Sequence, residues 1–148
     1  MKLGWGASFL AQNPGKRSLT LNLKHPEGQE IFFRLVEQAD VVVENFRPGV
    51  MERLGLGFEN LKEINPRIVY CAISGFGQNG PMKDSPAYDQ IIQGFSGVMS
   101  VTGNDEDGPL RVGFPLADTI GGITAAMGIT ASLSNPEREA VLIDVFNA

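Results

Sequence analysis

Cysteine and histidine each occur only once, as Cys71 and His25. A lone cysteine excludes a disulfide within the chain. With a lone histidine beside it, there is no material for a structural zinc cluster, and no metal is expected. Positive charge is also scarce. The 12 Lys and Arg against 17 Asp and Glu leave a net charge of −5. That balance argues against a nucleic-acid surface but leaves room for a local basic pocket for a phosphorylated ligand. No apolar run approaches the length of a membrane span, so no membrane segment is expected. The N-terminus MKLGWGASFLAQNPGKRS lacks a signal-peptide core and cleavage site, and the expected location is cytoplasmic.

What is present is an ordinary globular balance, with 43% hydrophobic and 20% charged residues over 148 positions. This is enough for one domain with a core. The 18 glycines and 9 prolines point to many tight loops.

SLTLNL alternates, with Leu19, Leu21 and Leu23 on one side, and predicts a strand buried on that side. HPEGQEIFFRLVEQA predicts a helix begun by Pro26, with Ile31, Phe32, Leu35, Val36 and Ala39 on one face. DVVVEN predicts a buried parallel strand. RPGVMERLG predicts a short helix closed by Gly55, and FENLKEINP another stopped before Pro66. RIVYCAIS predicts the next strand. Strand, helix, strand, helices, strand is the alternation of an α/β fold, a Rossmann-like parallel sheet with covering helices. Further on, AYDQIIQGFSGVMS predicts a helix with Tyr88, Ile91, Ile92, Phe95 and Met99 on one side. ADTIGGITAAMGITASLS predicts a helix of small residues, and AVLIDVF a last strand.

Between the third expected strand and the next helix lies SGFGQNGP. Gly75 to Gly80 fits G-x-G-x-x-G, the dinucleotide spacing when a helix starts inside the motif. Here PMKDSP follows, and Pro86 does not suit the body of such a helix. The expectation is a glycine loop after a strand, where α/β active sites often lie, and no NAD.

Together NPGKRSLTLNLKHPEG, ADVVVENFRPGVMERLGL, NPRIVYCAISGFGQNGP, YDQIIQGFSGVMSVTG and GFPLADTIGGITAAMGI resemble the family III CoA-transferases, the CaiB/BaiF family, over nearly the whole chain. The resemblance implies one partial domain over 1–148, with the family's opening strand and C-terminal half absent. It implies homo-oligomers, since complete members form interlocked dimers. It implies coenzyme A as the acyl-CoA substrate, a carboxylic acid as its partner, and Asp118 in PLADTIGG as the catalytic nucleophile. The same Asp118 also reads as a helix N-cap, and a carboxylate at a helix N-terminus is expected to stay ionised.

Positions matching the family's CoA site are Leu21, Lys24, Asn45, Phe46 and Arg53. Lys24 and Arg53 suit phosphates, and Phe46 suits apolar contact. Their plainer readings are a solvated strand end for Lys24, a surface helix residue for Arg53 and core for Phe46. Gly75 and Gly77 belong to a candidate lid or wall. Tyr88 and Asp89 occupy the family's YD position, with a core aromatic and a first-turn acid as the alternatives.

Three rival functions differ in what they need. An α-methylacyl-CoA racemase of the same superfamily uses an acid–base pair with His in a GHD segment. This chain has AYD there, and a tyrosine hydroxyl is a poor proton acceptor at neutral pH. An inactive, truncated CoA-binding fragment needs only the cleft. A serine hydrolase would need Ser96 in GFSG to have a partner histidine, and none is plausible.

Overall fold

The structure, a computed structural model, describes Gly4 and residues 6–148. The leader reading rests partly on Met1 to Leu3 and Trp5, which lie outside the described residues. A short helix α1 (Ala7–Gln12), which the apolar spacing did not predict, precedes an extended segment. Helix α2 (Pro26–Val36) begins at its proline. Strand β1 (Val41–Glu44), helix α3 (Val50–Arg53), helix α4 (Phe58–Ile64) and strand β2 (Val69–Ser74) follow. Then come α5 (Asp89–Phe95), a 3-10 turn (Val98–Val101), α6 (Leu116–Leu133) and β3 (Val141–Phe146).

The three strands form one parallel sheet in the order β1-β2-β3, with Val69 opposite both Val41 and Val141. Strand β2 is central and almost wholly buried, as its unbroken apolar run requires. Alternate side chains leave it on opposite faces. Tyr70 and Ala72 pack with Val36 of α2 and Leu61 of α4, while Cys71 packs with Ala125 of α6 and Val145 of β3. Each fully buried side chain of Val or Leu size contributes about 1.5–3 kcal/mol relative to exposure. Helices therefore cover both faces. The first short helix after β1 ends as expected at Gly55, whose φ of 71° suits a residue without a Cβ. Helix α4 ends as Asn65 turns extended ahead of Pro66.

Strand β1 is parallel as expected but not buried, since among the described residues it lies at the sheet edge and Val43 is 53% exposed. Four further expectations are corrected. Residues 18–23 form no strand, and Leu19 is 64% exposed. An alternating pattern makes a strand only where a neighbouring backbone pairs with it, and none of the described residues does. On α2, Phe32, Phe33 and Val36 face the core, whereas Ile31 and Leu35 are exposed. The stripe on α5 is not buried as a unit. Ile92 is buried, but Tyr88, Ile91 and Phe95 are exposed.

The fourth correction concerns α6. It is 18 residues long with mean hydropathy 1.3, long and apolar enough to cross a membrane by length and composition. Its interspersed Gly and Thr conceal that run in the sequence. The inner face is narrow and made of small residues, Ala117, Gly121 and Ala125. These let the helix lie close to the sheet, and Ile120, Ile123 and Met127 are left exposed outside. A helix covered by further protein has the same character, and one such helix is weak evidence for a membrane.

Candidate active site

An open cleft of about 500 Å³ lies beyond the carboxyl ends of the strands. Ligands of open parallel α/β sheets bind there, and the size is typical of small-molecule sites. Each strand delivers its following residues to the cleft. Asn45, Phe46, Arg47 and Pro48 come after β1, Ser74 and Gly75 from the end of β2, and Asn147 after β3. The loop from Lys83 to Tyr88 forms one wall, and Asp118 enters from the first turn of α6.

Of the residues singled out in the sequence, the fold brings Asn45, Phe46, Arg53, Gly75, Tyr88 and Asp118 to this one cleft. Phe46 is 47% exposed and Tyr88 75%, so neither is the core aromatic that burial alone would predict. Asn45 donates its amide to the Ile73 carbonyl at 2.8 Å, which fixes its side chain across the β1–β2 seam. Leu21 and Lys24 lie outside the lining, in the extended segment and turn before α2. Gly77 is buried beneath the loop and donates its N–H to Ser74 Oγ at 3.0 Å. The next N–H, of Gln78, donates to the Asp144 carboxylate at 2.9 Å. No α-helix begins inside the glycine motif, since the next one starts at Asp89. The helix N-terminus that a dinucleotide fingerprint offers to pyrophosphate is therefore missing there.

Three contributors escaped the sequence reading. Arg47 and Lys83 line the cleft beside Arg53. These three cations outnumber the two carboxylates there, Asp84 and Asp118, in a chain of net charge −5. The excess suits an anionic ligand. Both extra cations sit in loops, where charge is the common state and carries no periodic signal. The third is Gln93, which is 1% exposed and reaches from α5 toward the start of α6.

Asp118 is not an N-cap. Pro115 holds that position, and Asp118 is the third residue of α6. The first-turn N–H groups go elsewhere. Asp89 Oδ1 accepts from Ala117 N at 2.8 Å and more loosely from Asp118 N at 3.4 Å. So Asp89 is neither an idle first-turn acid nor a wall of the cleft, but lies buried behind it. Asp118 keeps contact with solvent, yet desolvation by the cleft wall raises its pKa above the ordinary value, and the Asp89 charge raises it further. Burial and a like charge thus act on Asp118 against whatever the helix N-terminus contributes. Among the described residues, no group of three or more His, Cys, Asp or Glu comes together as a metal set.

Comparison with known proteins agrees with this geometry. A model of CoA-transferase family III matches residues 1–142. The chain is 50% identical over 131 residues to the acetyl-CoA:oxalate CoA-transferase of Acetobacter aceti, covering 88% of this chain and 34% of that protein. It is 42% identical over 149 residues to the succinate–glutarate CoA-transferase of Agrobacterium fabrum, covering 96% and 37%. The crystal structure of a CaiB/BaiF family protein from Brucella suis superposes with a TM-score of 0.87 at 40% identity, over 91% of this chain and 36% of that one. The chain thus spans about a third of the length of these relatives. With its parallel sheet, its cleft and its sequence in agreement, the chain belongs to CoA-transferase family III.

Proposed function

We propose that this chain supplies the nucleophile and part of the CoA cleft of an enzyme that moves CoA from an acyl-CoA to a carboxylic acid. The observation that carries the reading is the meeting of Asp118 with Arg47, Arg53 and Lys83 in one cleft. The carboxylate can attack, and the cations can hold the phosphates of CoA. Phe46, exposed at the same wall, offers apolar contact to the adenine or the pantetheine arm. The names of the relatives, acting on oxalate, succinate and glutarate, support short dicarboxylic acids as the acid partners.

In the proposed reaction, a carboxylate oxygen of Asp118 attacks the thioester carbon. The C–S bond breaks, the CoA thiolate leaves, and an aspartyl–acyl anhydride remains. The thiolate then attacks the aspartyl carbonyl, releasing the first acid and leaving CoA on Asp118 as a thioester. The second acid attacks that thioester to form a new anhydride. The returning thiolate takes the new acyl group and frees Asp118. Each step exchanges one activated carbonyl for another, so no external energy source is needed. Water must be kept from the anhydride, and backbone N–H groups must face the oxyanion. The loop from Ser74 to Gly80 is the proposed wall.

The test is mass spectrometry of the protein after incubation with short acyl-CoAs. A hydroxylamine-sensitive acyl or CoA adduct on the peptide holding Asp118 is expected, and an adduct elsewhere or none sinks the reading. A second reading, a CoA-binding fragment without turnover, is favoured by the exposed outer face of α6 and by the open cleft, which leave Asp118 accessible to water. Binding of CoA without any adduct supports that reading over the first.

A further inference from the structure

We propose that Asp89 and Gln93 form a positioning clamp for Asp118, fixing the first turn of α6 and occupying its N–H donors so that the Asp118 carboxylate meets the cleft without a backbone hydrogen bond. The inference rests on Asp118 being the nucleophile.

Asp89 and Gln93 are four residues apart on α5 and so share one face. Both are buried, at 7% and 1% exposure, which is unusual for such polar side chains. Their hydrogen bonds account for it. Asp89 Oδ2 accepts from Gln93 Nε2 at 2.6 Å, while Oδ1 takes the N–H groups of Ala117 and Asp118. Gln93 Nε2 also donates to the Phe114 carbonyl at 3.2 Å, and Gln93 Oε1 accepts from Val112 N at 2.8 Å. Two side chains thereby hold both the segment that leads into α6 and the first turn itself.

A helix leaves its first N–H groups without internal partners, and a carboxylate within the first turn normally benefits from them. Here the benefit goes to Asp89. No hydrogen bond from the described residues reaches the Asp118 carboxylate; desolvation raises its pKa, and the nearby negative charge of Asp89 raises it further. A more basic carboxylate is a better nucleophile toward a thioester carbon. The other charges lining the same cleft are Arg47, Arg53, Lys83 and Asp84, and changes at Asp89 leave all four in place.

The experiment is a carbon-13 carboxyl titration of Asp118 in the 148-residue chain, with amide hydrogen exchange read at Ala117 and Asp118. In Asp89→Asn the Oδ1 acceptor of the two amides stays, while the charge and the acceptor of Gln93 Nε2 go. The titration midpoint of Asp118 should fall while both amides stay protected. In Asp89→Ala both amides should exchange about fivefold faster, as for a lost cap. Gln93→Leu should speed exchange at Val112 similarly. An unchanged midpoint in Asp89→Asn, or full protection in Asp89→Ala, overturns the clamp. Asp89→Asn keeps the Oδ1 acceptor for both amides, giving up the charge and the bond from Gln93, and keeps the test open if Asp89→Ala does not fold. A missing acyl adduct in the unchanged chain strikes at the nucleophile reading alone, and an unchanged midpoint at the clamp alone.

Discussion

Gly75 and Ala87 meet face to face across the base of the glycine loop, and a Cβ on Gly75 would fall inside the contact radius of the Ala87 methyl. The loop leaves β2 at Gly75 and returns at Ala87, just before α5. The close approach closes the loop at its neck and sets the wall of the cleft. Gly75→Ala should therefore lower stability by about 1–3 kcal/mol, the usual cost of overpacking. Thermal melting checks this, and a variant that melts with the parent shows that the neck has room to spare.

Asp118→Asn keeps the size and the helix start but removes the charge that attacks in the proposed reaction. Acyl transfer by any complete enzyme built on this chain should drop by at least about a thousandfold, as for loss of a nucleophile. The hydroxylamine-sensitive adduct should vanish. Transfer surviving at a tenth of the parent rate would assign the chemistry to another residue.

Arg53→Ala and Lys83→Ala should each weaken CoA binding by about 1–3 kcal/mol, the worth of a charge-assisted hydrogen bond. Both side chains are exposed, so the difference from the parent should shrink as salt rises. Calorimetry against CoA and against dephospho-CoA is the measurement. Equal affinity in parent and variants at low salt removes the cations from the phosphate site.

Glu44 is buried at the end of β1, and desolvation raises its pKa above the ordinary 4.5, with a smaller opposing effect from the Phe46 N–H that bonds it. A carboxyl whose pKa is higher folded than unfolded binds protons more readily in the native state. Its charge therefore disfavours folding as pH rises through the folded value, and has no such effect below the unfolded one. Glu44→Gln should be more stable than the parent at neutral pH, with the gap closing on acidification. Denaturant midpoints across pH give the answer, and a gap that widens toward acid contradicts the burial argument.

The parts visible in the sequence were those whose signal is local. The apolar run of β2 announced a strand because a parallel sheet buries it on both sides, and the β-branched run Val41–Val43 announced another although β1 lies at the sheet edge with Val43 exposed. Pro26, Gly55 and Pro66 marked helix ends through their own backbone limits. Residues 18–23 misled because alternation records a face but not a partner. The place of Asp118 in the cleft was legible through the family resemblance, although the fold does not make it an N-cap. Gln93 had no signature at all. A buried glutamine looks like any helix residue until the segment it ties down is in place.

Strand β3 joins the sheet only after the longest connection in the chain, whereas β1 and β2 are bridged by two short helices. In folding terms, closing the larger loop costs more entropy before any contact repays it. The unit from α2 to β2 should therefore form first, and α6 and β3 should dock late. Asp118 and Asn147 both lie on the late part, so the cleft lacks both side chains until the last strand pairs. Pulse-labelled hydrogen exchange would show this as protection at Val69 to Ser74 preceding protection at Val141 to Phe146, and the reverse order would remove the argument. A chain built this way keeps Asp118 apart from the cations of the cleft until the wall behind it is complete.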